Sequence, residues 1–209
     1  GRSAAVPLLE LAIARDPRRW QSHNGLGIAA DRTKDFAAAI AHYDAAFALE
    51  PRATMVVNNR GFSRYLAGDF AGAETDFRLA LQMAPQTGTW TNLGRAQARQ
   101  NRYEEALESF LKEHDEAHAR NLLGEVAMEG GDFNVAQNEF ALALSASPRY
   151  FQAAQDNLDL IAKRIAERDM PVAPVSASAT AASAAPPVGA ATTVAGLNTW
   201  HPALSYSDG

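Results

Sequence analysis

No cysteine occurs in the 209 residues. That excludes a disulfide framework and any thiolate metal site within them, and it leaves the compartment open, because a cysteine-free fold suits cytosol and periplasm alike. No apolar run approaches the ~18 residues that a membrane-spanning helix needs. Basic residues are outnumbered, with 19 Lys and Arg against 24 Asp and Glu, and the net charge of −5 gives no positive field for a nucleic-acid backbone or an anionic lipid surface. Nucleic acid is therefore not an expected partner. Catalytic signatures are missing too: there is no Walker motif and no Gly-x-Ser-x-Gly elbow, and five scattered histidines make no catalytic set. The expectation is a protein without enzymatic activity, cofactor or resident metal. The chain opens Gly-Arg-Ser rather than with Met, so the native N-terminus, with any signal peptide or lipid-bearing cysteine, is expected upstream.

What is present is repetition. Glycines at Gly27, Gly61, Gly94 and Gly124 stand 34, 33 and 30 residues apart, and each opens the same frame. Nine residues on comes an aromatic (Phe36, Phe70, Tyr103, Phe133). Twelve on comes an alanine (Ala39, Ala73, Ala106, Ala136), and sixteen on a second aromatic (Tyr43, Phe77, Phe110, Phe140). Prolines close three units, at Pro51, Pro85 and Pro148, and a closing half-unit with Ala5, Leu9, Ala12 and Pro17 precedes them all. Small and apolar residues recur at three- and four-residue steps, which is helical periodicity. Each unit breaks once (Lys34-Asp35, Gly68-Asp69, Asn101-Arg102, Gly131-Asp132), with Asp placed to cap a second helix in three of the four. Glycine inside a helix costs about 1 kcal/mol, so its recurrence needs a compensating contact. The expectation is that its missing side chain lets the second helix approach through its own small Ala.

This frame resembles the tetratricopeptide repeat, whose pattern sets Trp, Leu-Gly, Tyr, Ala, Phe, Ala and Pro at fixed offsets over 34 residues. Trp90, Leu93 and Gly94 supply its opening triplet in the third unit. The resemblance implies an all-α, right-handed superhelical solenoid of antiparallel helix pairs over residues 3–168. Its repeats fall at about 20–53, 54–87, 87–116 and 117–150, after an N-terminal half repeat and before a capping helix at 151–168. The third unit departs from the pattern, with Glu113 where Ala belongs and His118 where Pro belongs, so its second helix is expected to be short or to run on into the fourth.

Beyond the helical region the composition changes. Residues 169–196 read as an Ala/Pro/Ser-rich linker, and 197–209 regain Leu197, Trp200, Leu204 and Tyr206. Those four residues suit a short docking motif at the end of a tether; a tail without a partner reads equally well. Two further constellations stand out. The stretch Gly25 to Ala30, "GLGIAA", has the outline of a dinucleotide fingerprint but lies inside a helix with no preceding strand. His114 and His118 share a helical face without an evident third ligand, so a solvated helix end is favoured over a metal.

What remains is surface for binding a protein or peptide. In this family the first-helix residues three before, one after and four after each glycine line the concave groove. Here they are Asn24, Ile28 and Asp31; Asn58, Phe62 and Tyr65; Thr91, Arg95 and Ala98; Asn121, Glu125 and Met128. The asparagines can donate to and accept from an extended peptide backbone, and the apolar members can anchor it. A clamp for a C-terminal carboxylate would need several cations, and the stripe holds only Arg95. Within the family, "HNGLGIAADRTKDFAAAIAHYDAAFALEP" and "VVNNRGFSRYLAGDFAGAE" resemble the TadD-type proteins of the tight adherence (Tad, or Flp) pilus apparatus, with Arg60 where Leu is usual. That resemblance implies a periplasmic scaffold, an outer-membrane lipoprotein held through an N-terminus upstream of Gly1, working with a secretin or pilus component. The alternatives are a general cytosolic adaptor or co-chaperone and the regulatory region of a larger enzyme.

Overall fold

The computed structural model describes residues 5–147 and 151–169. Ten helices follow one another: α1 (Ala5–Arg15), α2 (Trp20–Arg32), α3 (Phe36–Leu49), α4 (Thr54–Leu66), α5 (Phe70–Met83), α6 (Thr89–Ala98), α7 (Tyr103–Phe110), α8 (Glu116–Gly130), α9 (Phe133–Ala146) and α10 (Phe151–Asp169). The described residues contain no strand. Helices α2 to α9 pack as four pairs, α2 with α3, α4 with α5, α6 with α7 and α8 with α9. Each second helix leans on the first helix of the next pair, and the first helices α2, α4, α6 and α8 touch in series. This is the expected solenoid of stacked helix pairs. The linker and tail assignments, with Leu197, Trp200, Leu204 and Tyr206, lie outside the described residues apart from Asp169.

The four glycines are where the pairs close. A Cβ on Gly27 would lie 2.6 Å from the Tyr43 ring, on Gly61 2.9 Å from Phe77, on Gly94 2.7 Å from Phe110 and on Gly124 2.6 Å from Phe140. The compensating contact is thus the second-helix aromatic set into the glycine notch. The sequence-based expectation had the small alanine there; Ala39, Ala73, Ala106 and Ala136 are fully buried and the Ala106 carbonyl oxygen would lie 3.0 Å from a Cβ on Gly94, but in all four notches a ring is the nearest neighbour. Between the helices of each pair one residue turns left-handed: Lys34 and Asn101 at φ 61°, Gly68 at 86° and Gly131 at 87°. The following Asp then caps the second helix. Asp35 accepts from Ala38 N, Asp69 from Gly72 N and Asp132 from Val135 N, whereas Arg102 provides no side-chain cap.

The departures from the repeat have structural counterparts. Helix α7 has 8 residues against 14 in α3, α5 and α9, so the third unit's second helix ends early instead of running into α8. The chain turns back, and the Glu113 carboxylate accepts from Gly88 N at 2.8 Å, Thr91 N at 3.1 Å and Thr91 Oγ1 at 2.7 Å. It caps α6, which has no side-chain cap of its own, and it sets negative charge at the positive end of the helix. Arg60, in place of the usual Leu, forks onto Asp76 of α5 through Nε at 3.0 Å and Nη2 at 2.6 Å. It also reaches Asp44 of α3 at 2.8 Å, and its guanidinium lies 5.0 Å from the centre of the Phe47 ring. Arg64 adds a second cation to Asp76 at 2.7 Å. A buried charged joint thus stands inside the α4–α5 pair and reaches the preceding pair through Asp44, with Asp76 compensated by two cations as burial requires.

Candidate functional site: the first-helix stripe

The stripe residues are mostly half-buried, and the structure divides them into two groups. In the first group, several side chains serve the joints between repeats. Asn24 is buried and accepts from Asn59 Nδ2 at 3.2 Å, Asn58 faces Thr89 Oγ1 at 3.5 Å, and buried Asn121 accepts from Asn157 Nδ2 at 3.3 Å. Each asparagine therefore reaches forward to the next first helix, or to α10 after the last. Asp31 accepts from Tyr43 Oη at 2.8 Å and from Ser63 Oγ at 2.6 Å; Tyr43 is the one notch aromatic with a hydroxyl, and Asp31 satisfies it. Burial raises the Asp31 pKa despite both hydrogen bonds. Ile28 packs on the cluster of Ala39, Tyr43 and Ala46, Ala98 on that of Ala106 and Phe110, and Met128 on that of Ala136 and Phe140. Thr91 shares its hydroxyl between Glu113 and His114 Nε2, at 2.7 Å and 2.8 Å.

The second group keeps its capacity free. Three buried side-chain polar atoms among the described residues lack a hydrogen-bond partner, and two of them, Tyr65 Oη on α4 and Arg95 Nε on α6, belong to the stripe. Around them Phe62 and Tyr65 stack at 6.5 Å, Tyr65 meets Phe70 edge-on at 5.4 Å, and Arg99 lies 4.5 Å over the Phe70 ring. From α8 come two carboxylates, Glu125 and Glu129. Glu125 accepts from Asn121 Nδ2 at 2.9 Å, and no hydrogen bond or ion pair joins either glutamate to Arg95 or Arg99. Burial raises the pKa of both carboxyls, opposed by the charge of Arg95 and, for Glu129, of Arg99 as well. Tyr65 is raised by burial and then by the nearby charge of Glu129, opposed by the charges of Arg95 and Arg99 and by Arg99 acting directly on its hydroxyl. The arrangement has unmet donors on α4 and α6, and on α8 carboxylates that burial makes costly to ionise.

Beside it, His114 and His118 stack with centroids 4.2 Å apart and ring planes 7° from parallel. They are half-buried, so the expected solvated helix end is corrected: the early stop of α7 folds His114 against α6 and carries His118 into the stripe's neighbourhood. Burial lowers both pKa values; the positive charge of His114 adds to the effect on His118. Among the described residues no three His, Cys, Asp or Glu side chains gather as a metal site needs.

Sequence reasoning missed Arg99 and Glu129. They sit five residues after their glycines, one helical turn beyond Arg95 and Glu125, and the pairing of like charges at i and i+4 was the available signal.

The model of the tetratricopeptide repeat matches residues 2–53, 32–88 and 63–121. None of the curated proteins compared with the chain matches it. Among solved structures, YrrB, described as a TPR protein with an unusual peptide-binding site, is 18% identical. Its alignment covers 77% of this chain and 85% of its own, with a TM-score of 0.54. MamA is 14% identical over 70% of this chain and 89% of its own, at 0.56. PilF of Pseudomonas aeruginosa is 17% identical over 80% and 91%, at 0.52. At these identities the likeness is one of fold. With three overlapping matches running from residue 2 to 121, and four glycine notches each filled by an aromatic, the chain belongs to the tetratricopeptide repeat family.

Proposed function

We propose that the chain is a scaffold that holds a peptide or helix of a partner protein against the first-helix stripe, in the assembly of a Tad-type pilus or its secretin. The observation that carries the binding role is the half-buried aromatic wall of Phe62, Tyr65 and Phe70 on α4 and α5 beside half-buried Arg95 and Arg99 on α6. Asn24, Asp31, Asn58 and Asn121 tie neighbouring first helices, or α8 to α10, together, which limits the ordering needed when the partner arrives. The pilus assignment rests on the resemblance of residues 20–150 to the TadD type, and a fold likeness to PilF is in keeping with it. The reading places the protein at the periplasmic side of the outer membrane, held by a lipid on a residue upstream of Gly1. Mass spectrometry of the native N-terminus after separation of cytosol, periplasm and membranes tests the location. A lipid-modified cysteine in the outer-membrane fraction supports it, and an unprocessed cytosolic N-terminus overturns it.

A further inference from the structure

The turn that ends α7 early joins two first helices through three successive residues. Glu113 caps α6, His114 reaches the Thr91 hydroxyl of α6, and Asp115 caps α8 by accepting from His118 N at 2.9 Å. The His114 and His118 rings, stacked 4.2 Å apart, brace the first turn of α8 against that connection. The hydrogen bonds also fix which nitrogen of His114 titrates. The Thr91 hydroxyl has one proton, and the Glu113 carboxylate, which only accepts, takes it at 2.7 Å. His114 Nε2, 2.8 Å from the same oxygen, is then the donor, so the neutral ring carries its proton on Nε2 and the next proton goes to Nδ1.

One charge on the stack is tolerable; two imidazolium rings face to face at 4.2 Å repel in a half-buried site. Glu113 and Asp115 on the turn favour charge on the pair, and Arg95 from α6 opposes it. Of the other charges on the adjoining segments, Glu116 and Arg120 of α8 pair with each other at 2.9 Å, and Lys112 lies over the Trp90 ring of α6.

We infer that the stacked histidines are a proton-operated latch: the first proton leaves the rings together, and the second parts them and frees the start of α8 from α6. Burial and mutual repulsion hold back protons that the unfolded chain accepts at the ordinary histidine value, so stability through the pair falls as pH drops below 6.5. Arg95 and Glu125 stand on the two helices so joined, and the latch therefore sets a pH below which the stripe's α6–α8 spacing loosens and a partner lying there is released. That release rests on the stripe being the binding surface; the latch itself does not.

The test follows the imidazole signals of the full chain by NMR from pH 8 to pH 5, together with the ring-to-ring contact of His114 with His118 and the exchange protection of the His118 amide. The unaltered protein is compared with His114→Gln, His118→Gln and His118→Phe, each checked for helical signal by circular dichroism. In the unaltered protein the pair is expected to titrate in two separated steps, the ring contact and the amide protection surviving the first and falling with the second. In each Gln variant the remaining histidine titrates in one step, at higher pH than that second step. With His118→Phe, which keeps a ring against His114 and removes its charge, the ring contact persists through the range. Histidines that titrate in the unaltered protein as they do in the single variants are uncoupled and overturn the latch, and so does a ring contact that survives both steps. Should a Gln variant lose its helical signal, the unaltered titration and His118→Phe decide. The readout needs no partner, so failure of the latch and failure of the stripe as a binding surface are told apart.

Discussion

Glu113 caps a helix that begins 24 residues before it: its carboxylate takes the Gly88 and Thr91 amides and the Thr91 hydroxyl. The repeat pattern asks for alanine at this position, so the substitution that restores the pattern removes the cap. Glu113→Ala is expected to destabilise the chain by about 0.5–2 kcal/mol, the usual range for a lost N-cap, with Glu113→Gln losing less. Urea unfolding followed by circular dichroism reads the change; a midpoint unmoved by Glu113→Ala contradicts the cap.

Gly124 and Gly130 lie in the same helix and should answer oppositely to alanine. At Gly124 the new Cβ meets the Phe140 ring at 2.6 Å, and overpacking of this kind costs about 1–3 kcal/mol. At Gly130 nothing lies within 4 Å, so Gly130→Ala is expected to stabilise by about 0.5–1 kcal/mol through helix propensity alone. Equal effects at the two positions in thermal melts would remove the ring-in-notch account.

The Arg60–Asp76 joint predicts non-additivity. Asp76→Ala leaves Arg60 buried without its main partner and is expected to cost about 3–5 kcal/mol, whereas Arg60→Leu with Asp76→Ala recovers much of that loss. A double variant no more stable than Asp76→Ala alone would show that the pair is not coupled.

Burial raises Glu125 and Glu129 above the ordinary carboxylate value of 4.5, so between that value and their folded pKa the folded state holds more protons than the unfolded one. Stability through this pair therefore falls as pH rises through that window. Glu125→Gln with Glu129→Gln is expected to raise the melting temperature at pH 7 and to give no gain at pH 4. A gain of the same size at both pH values would locate the effect elsewhere.

The sequence showed the fold through its coincidences: a glycine, two aromatics and an alanine at fixed offsets, with Asp before the second helix. Such positions answer to one local requirement each, a notch, a ring or a cap, and so leave a readable residue type. The site was legible only in part. Tyr65 and Arg95 fall at offsets the repeat leaves free, which marks them as candidates without distinguishing them from Asn24 or Asn121. Those asparagines, each three before its glycine, carry an equally suitable side chain, yet they turn to the neighbouring helix. Which way a polar side chain on this stripe turns depends on what the next first helix offers it, Asn59 and Asn157 in these two cases. That information lies some 35 residues away and carries no local period. Glu113 was visible as a departure, but the amides it serves are contributed by a turn closed only in three dimensions.

The central claim is that the stripe around Tyr65 and Arg95 holds a partner from the pilus machine. It is tested most directly by crosslinking in intact cells and purifying the tagged protein from the envelope, unaltered and with Tyr65→Ala and Arg95→Ala, followed by quantitative mass spectrometry. The account predicts a secretin or pilus component retained by the unaltered protein and reduced at least about fivefold with the variant, a loss of ~1 kcal/mol or more, while its helical signal and envelope location persist. Equal retention by both proteins, or no such component with either, would contradict it.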